Sequence, residues 1–222
     1  MTFSAELWER GAAKVYEEIL RHPFITGLTD GTLEHSAFRY FIIQDSHYLR
    51  AYSRALTLVA ARATHEDEVR LFATHAAEAI AVEQSLHSEL LGSLGLESAD
   101  VDAAGSRPTT TAYMSYLTAV CATGTYAEAV AAVLPCYWIY RDVGRELLKR
   151  SSPDPVYAQW ISTYGSEEFD AVVESVLAVT DRLGGDVGPA ERERCHRHFS
   201  TTTRYEWMFW DAAYRELDWP AG

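Results

Sequence analysis

What is scarce in this chain narrows its class first. Of 222 residues only three are cysteines, Cys121, Cys136 and Cys195, an odd number, widely spaced and without a CxxC pair. That spacing suggests neither a disulfide framework nor a cysteine-held zinc site, and free thiols suit a reducing compartment. No apolar run approaches the roughly 20 residues that a membrane span needs, and the N-terminus carries no signal-peptide core. No membrane is expected as a partner, and the expected location is the cytoplasm. Positive charge is also short: 19 Lys and Arg stand against 32 Asp and Glu, a formal net charge of −13. The basic residues are scattered among acids rather than gathered into a stripe, which argues against nucleic acid as a partner. Strand-like alternation between turn signals is missing too, so the expected fold is all-α, a helical bundle.

What remains is enough for one domain over residues 1–222. Apolar residues make up 48% and charged residues 23%, ordinary for a globular chain that can bury a core without staples. The unusual part is 13 tyrosines and 6 tryptophans. Helical spacing of apolar positions predicts helices over about 4–20, 33–63, 66–94, 108–124, 125–149, 157–164, 166–183 and 190–217. His22-Pro23 ends the first of them. Residues 24–31, with Asp30-Gly31, read as a connection, and 97–107, rich in Ala, Asp, Gly and Ser, as a surface loop.

Three places combine residue types that can do chemistry. In the middle of the 125–149 helix, which Thr125 and Glu128 open with a capping-box pattern, Pro135 is followed by Cys136. A proline inside a helix removes a backbone donor and costs on the order of 3 kcal/mol. A kink there can aim the sulfur into a cavity, with Tyr140 one turn on; the plainer reading makes Cys136 a small buried apolar residue. Asp45, Tyr48 and Tyr52 fall at i, i+3 and i+7, so a carboxylate and two phenols share a helix face that can line a polar pocket or half-bury its rings at the surface. His47 points away from that face. Glu206 is a lone acid in an aromatic run, with Phe209 and Trp210 at i+3 and i+4. Held against rings, its carboxyl would keep its proton near neutral pH; turned to water, it would be unremarkable in role.

Taken in order, His22-Pro-Phe24, Asp30-Gly31, Gln44-Asp45-x-x-Tyr48, Leu134-Pro-Cys-x-Trp-x-Tyr140, Tyr157-x-x-Trp-x-x-x-Tyr164 and Glu206-x-x-Phe-Trp210 resemble the TenA family of thiaminase II enzymes. The resemblance spans nearly the whole chain and rests on five separate segments, 22–31, 44–48, 134–140, 157–164 and 206–210. It implies a haem-oxygenase-like helical bundle, a homotetramer, no cofactor and no metal, and hydrolysis of aminopyrimidines in thiamin salvage. By the same resemblance Cys136 is the nucleophile, Glu206 its acid/base partner and Asp45 the carboxylate that holds the substrate's amino group. Tyr48, Tyr113, Tyr140, Tyr164 and Phe209 carry over as pocket residues, with Tyr116 an alternative to Tyr113 in the same helix.

Two other classes compete. A metal-dependent oxidase on the same scaffold could draw on His75, Glu78, Glu83 and His87, whose i,i+3 and i,i+4 spacings suit ligands. A complete di-iron site needs a Glu-x-x-His from each of two helices, however, and the chain holds a single one, Glu193-x-x-His196, far along the sequence from these four residues. A non-catalytic pyrimidine-binding or regulatory protein would use the same aromatic pocket without releasing ammonia.

Overall fold

In a computed structural model the structure describes residues 1–220, and for 82–91 and Ser98 the backbone alone. Among the described residues there are eleven helices and no strand: α1 Phe3–Gly11, α2 Ala13–Leu20, α3 Pro23–Asp30, α4 His35–Arg62, α5 Glu66–Ser93, α6 Ser98–Ala104, α7 Pro108–Thr123, α8 Tyr126–Leu148, α9 Pro155–Tyr164, α10 Glu167–Asp186 and α11 Pro189–Tyr214. No helix among these residues is long and apolar enough to cross a membrane.

Local chemistry sets most of the boundaries. Thr125 and Glu128 form the reciprocal capping box that opens α8, Ser166 caps α10 through the Phe169 amide, and Asp154 caps α9 through the Val156 amide. Proline stands in the first turn of α3, α7, α9 and α11, where its missing N–H costs nothing.

Three stretches depart from the sequence expectation. The single helix over 4–20 is two, because Ala12 leaves the helical track between α1 and α2. Gly11 sits at that break with no room for a side chain: a β-carbon there would lie 2.8 Å from the Phe199 ring, so α1 approaches α11 closely. Residues 24–31 are not a connection but α3, started by the His22 imidazole, whose Nδ1 accepts from the Phe24 amide at 3.1 Å. Phe24, Ile25 and Leu28 bury its inner face, and Gly31, at φ +69°, ends it in the left-handed region. Within the expected loop at 97–107, α6 forms a short helix whose Val101 is buried.

The core lies where α4, α7, α8 and α11 meet, and the chain's last stretch ties that region down. Past α11, the Leu217 carbonyl accepts from the Tyr40 hydroxyl at 2.5 Å, Asp218 pairs with Arg107, and the Trp219 indole donates to the Ser106 carbonyl at 3.1 Å. The same 105–107 segment is gripped from α4 by Gln44, whose side-chain amide donates to the Gly105 carbonyl at 3.1 Å and accepts from the Arg107 amide at 2.8 Å. Gln44 is the neighbour of Asp45, so the start of α7 is registered against the face that carries the acid.

Candidate active site

On α4 the predicted face is real: Asp45, Tyr48 and Tyr52 are 2%, 3% and 4% exposed. α8 packs its proline segment against it. Pro135 has no N–H to give the carbonyl one turn back, yet α8 runs unbroken through it, and the Tyr52 hydroxyl donates to the Val133 carbonyl at 2.9 Å. Cys136, next in line, keeps part of its surface open to a cavity of about 450 Å³ enclosed by α4, α5, α8, α9 and α10. Asp45, Tyr48, Cys136, Tyr140 and Tyr164 all line this cavity. The rings of Tyr140 and Tyr164 stand 4.9 Å apart and lean on Trp160 and Trp210, which are fully buried and hold them in place.

Glu206, Tyr113 and Phe209 lie outside the cavity lining and pack beneath it. Tyr113 and Phe209 set their rings 4.8 and 5.7 Å from that of Tyr48. The Tyr113 hydroxyl donates to Glu206 Oε1 at 2.5 Å. Tyr116 instead meets His198 Nδ1 at 2.8 Å; neither tyrosine lines the cavity, and of the two it is Tyr113 that touches Tyr48 and Glu206. The Tyr48 hydroxyl is buried without a well-formed hydrogen-bond partner among the described residues. It shares weaker hydrogen-bonding contacts with the Cys136 thiol and the Tyr113 hydroxyl, and Tyr48 lines the cavity, where a polar ligand atom can engage it.

Electrostatics set the protonation of the pair. Burial pushes the Glu206 carboxyl up to about 8, opposed by the hydrogen bond from Tyr113 and aided by the charge of Asp45. Burial, then Glu206, push the Cys136 thiol well above its ordinary value. At neutral pH the sulfur and the acid therefore rest as a neutral thiol and a neutral carboxylic acid, sparing the site a buried charge. Cys121 and Cys195, buried far from this chemistry and pushed up to about 12, are inert apolar fillers.

Several wall residues had no sequence signal beyond helical spacing. Tyr137, Thr163, Phe169 and Val172 are among them, and His75, which the sequence offered only as a metal ligand, also lines the cavity, its Nδ1 3.2 Å from the Tyr137 hydroxyl. His75 is thus engaged by a tyrosine, while Glu78 is exposed at the rim. Among the described residues no three of His, Cys, Asp and Glu gather as a metal would require; the side chains of Glu83 and His87 lie outside the described residues. His47 is not a plain surface group: its Nε2 meets the Val101 carbonyl at 3.0 Å and anchors α6.

The all-helical bundle belongs to the class with the haem-oxygenase-like fold. A domain from Shewanella denitrificans described with that fold superposes at a TM-score of 0.73, with 17% identity over 92% of this chain and 89% of that one. Within the class the chain belongs to the TENA/THI-4/PQQC family, whose sequence model matches residues 10–216. A TenA homologue from P. horikoshii superposes at a TM-score of 0.88, with 26% identity over 98% of this chain and all of that one. An aminopyrimidine aminohydrolase from Bacillus subtilis is 34% identical over 99% of this chain and 92% of its own length.

Proposed function

We propose that the protein is an aminopyrimidine aminohydrolase of thiamin salvage. It converts 4-amino-5-aminomethyl-2-methylpyrimidine to hydroxymethylpyrimidine and ammonia, and cleaves thiamin to hydroxymethylpyrimidine and the thiazole. The observation that carries this reading is the juxtaposition of three groups: a thiol and a carboxylate, Cys136 and Asp45, on one aromatic cavity, with a carboxylic acid of pKa about 8, Glu206, directly beneath. A cytoplasmic homotetramer is part of the same proposal, supported by the family likeness.

The amine of the substrate departs only if electrons are pushed from the ring toward its methylene. Cys136 adds its sulfur to the ring carbon beside the substituted one. Because thiol and acid both start neutral, Glu206 can give its proton to the adjacent ring nitrogen while taking the proton that sulfur loses. The side-chain amine, protonated as an ammonium in neutral solution, is expelled as ammonia when the C–N bond breaks, while the ring's own amino group becomes electron-poor and Asp45 stabilises it. Water adds to the exposed methylene, ammonia carries off its proton, and the first step runs in reverse to free the thiol. The phenols of Tyr48, Tyr140 and Tyr164 hold the flat ring in register, with Tyr113 and Phe209 supporting them from beneath.

Ammonia release from the aminomethyl pyrimidine tests the proposal. Wild type is expected to release it, Cys136→Ala to fall to background, and Glu206→Gln to lose roughly 10²–10⁴-fold. Full turnover by Cys136→Ala would sink the covalent route, and binding of hydroxymethylpyrimidine without any ammonia release by wild type would favour the regulatory class.

A further inference from the structure

Gln44 stands beside Asp45 in sequence, yet it does not line the cavity and the reaction gives it no task. It is 2% exposed. Burying a side-chain amide is costly unless both its ends are satisfied, and here both are spent on one stretch of backbone. Its nitrogen donates to the Gly105 carbonyl at 3.1 Å and its oxygen accepts from the Arg107 amide at 2.8 Å. Arg107 is the N-cap of α7, so these bonds fix where that helix starts along α4. At the far end Arg62 of α4 plays the same part: its Nε donates to the Cys121 carbonyl at 2.7 Å, and its Nη2 to the Ala122 carbonyl. The two helices therefore run in the same direction, pinned near both ends, with the rings of Tyr48 and Tyr113 packed 4.8 Å apart between the pins.

What this register delivers is the Tyr113 hydroxyl. Tyr113 stands six residues past Arg107. At 1.5 Å per residue that is about 9 Å of helix, too short and stiff to absorb an error at its start. The hydroxyl donates to Glu206 Oε1 at 2.5 Å. With Oε1 accepting from the phenol, the proton that the acid gives to the ring nitrogen is carried by Oε2. A slip of α7 by one residue, about 1.5 Å, would carry the hydroxyl out of reach and let the carboxyl rotate.

We propose that Gln44 is a positioning residue for the acid: by setting the register of α7 it makes Tyr113 hold Glu206 with its proton aimed at the substrate. Gln44 touches no reacting atom and acts through Arg107 and Tyr113. The end of the chain reinforces it, since Asp218 pairs with Arg107 and the Trp219 indole donates to the Ser106 carbonyl on the same stretch. The inference rests on the aminohydrolase reading and deepens it.

A double-mutant cycle on ammonia release from the aminomethyl pyrimidine tests it, with wild type, Gln44→Met, Tyr113→Phe and the double variant. Gln44→Met keeps the volume and removes both hydrogen bonds. It is expected to lose roughly tenfold in kcat with KM within about twofold of wild type. The alkaline limit of its kcat/KM should move upward, because the hydrogen bond from Tyr113 is what opposes the upward push of burial on Glu206. In the Tyr113→Phe background the same substitution is expected to cost less than about twofold, since the link it acts through is gone. Should Gln44→Met fold poorly, Asp218→Ala loosens the same stretch from its exposed side and takes its place in the cycle, with a smaller loss of kcat that also vanishes in Tyr113→Phe. Equal losses in both Tyr113 backgrounds, or wild-type kcat in whichever folded variant is used, would overturn the positioning role and leave the aminohydrolase reading intact. Wild-type protein that releases no ammonia would remove both.

Discussion

Glu206 is the residue through which pH reaches this molecule most directly. Its carboxyl is pushed from the ordinary 4.5 up to about 8, so between those values the folded chain holds a proton that the unfolded chain has released. Stability therefore falls as pH rises through that window, and it is fully present only below the lower value. Wild type is expected to lose more Tm between about pH 5 and about pH 9 than Glu206→Gln, which has no proton to lose. Activity should share the upper limit, because an ionised Glu206 cannot protonate a ring nitrogen: kcat/KM falls as pH passes about 8. Paired thermal melts and pH–rate profiles check both. A wild-type melting curve parallel to that of Glu206→Gln would show that the carboxyl is not held protonated by burial.

At the scale of elements, the site depends on how closely α9 can approach α8. Gly144 permits it: a β-carbon there would stand 2.5 Å from the Tyr164 carbonyl carbon and 2.6 Å from its oxygen. Backbone cannot swing aside as a side chain can, so Gly144→Ala must push α9 outward and carry Tyr164 with it. The expected cost is about 1–3 kcal/mol of stability together with a raised KM for the pyrimidine, measured by denaturant melts and steady-state kinetics. A Gly144→Ala enzyme with unaltered KM would mean that Tyr164 does not touch the substrate. The same contact marks where legibility in the sequence ends. Thr125 with Glu128 announces α8, and the i, i+3, i+7 spacing puts Asp45, Tyr48 and Tyr52 on one face, because both signals are local. Residues 24–31 misled because Thr26, Gly27, Thr29 and Asp30 speak for a turn, while the buried Phe24, Ile25 and Leu28 that make α3 a helix depend on partners elsewhere in the chain. The α5–α10 wall of the cavity was silent for the same reason: which faces of two distant helices meet is a tertiary fact that no spacing records.

For the whole molecule, the cavity is a joint between parts of the chain that are remote in sequence. Its lining comes from α4, α5, α8, α9 and α10, and its floor from α7 and α11. Ligand bound there contacts elements that must all be docked for the site to exist, so it has no affinity for the unfolded chain and stabilises the fold by mass action. At 100 times its dissociation constant, hydroxymethylpyrimidine is expected to contribute about 2.7 kcal/mol. For a chain of 222 residues, at about 2–4 °C per kcal/mol, that is a rise in Tm of roughly 5–11 °C. Cys136→Ser should keep most of this shift, since the product is held by Asp45 and the rings rather than by sulfur, while Asp45→Asn should lose a large part of it. Should neither wild type nor Cys136→Ser gain thermal stability at saturating product, the cavity would not be the pyrimidine site, and the activity would have to be sought elsewhere on the bundle.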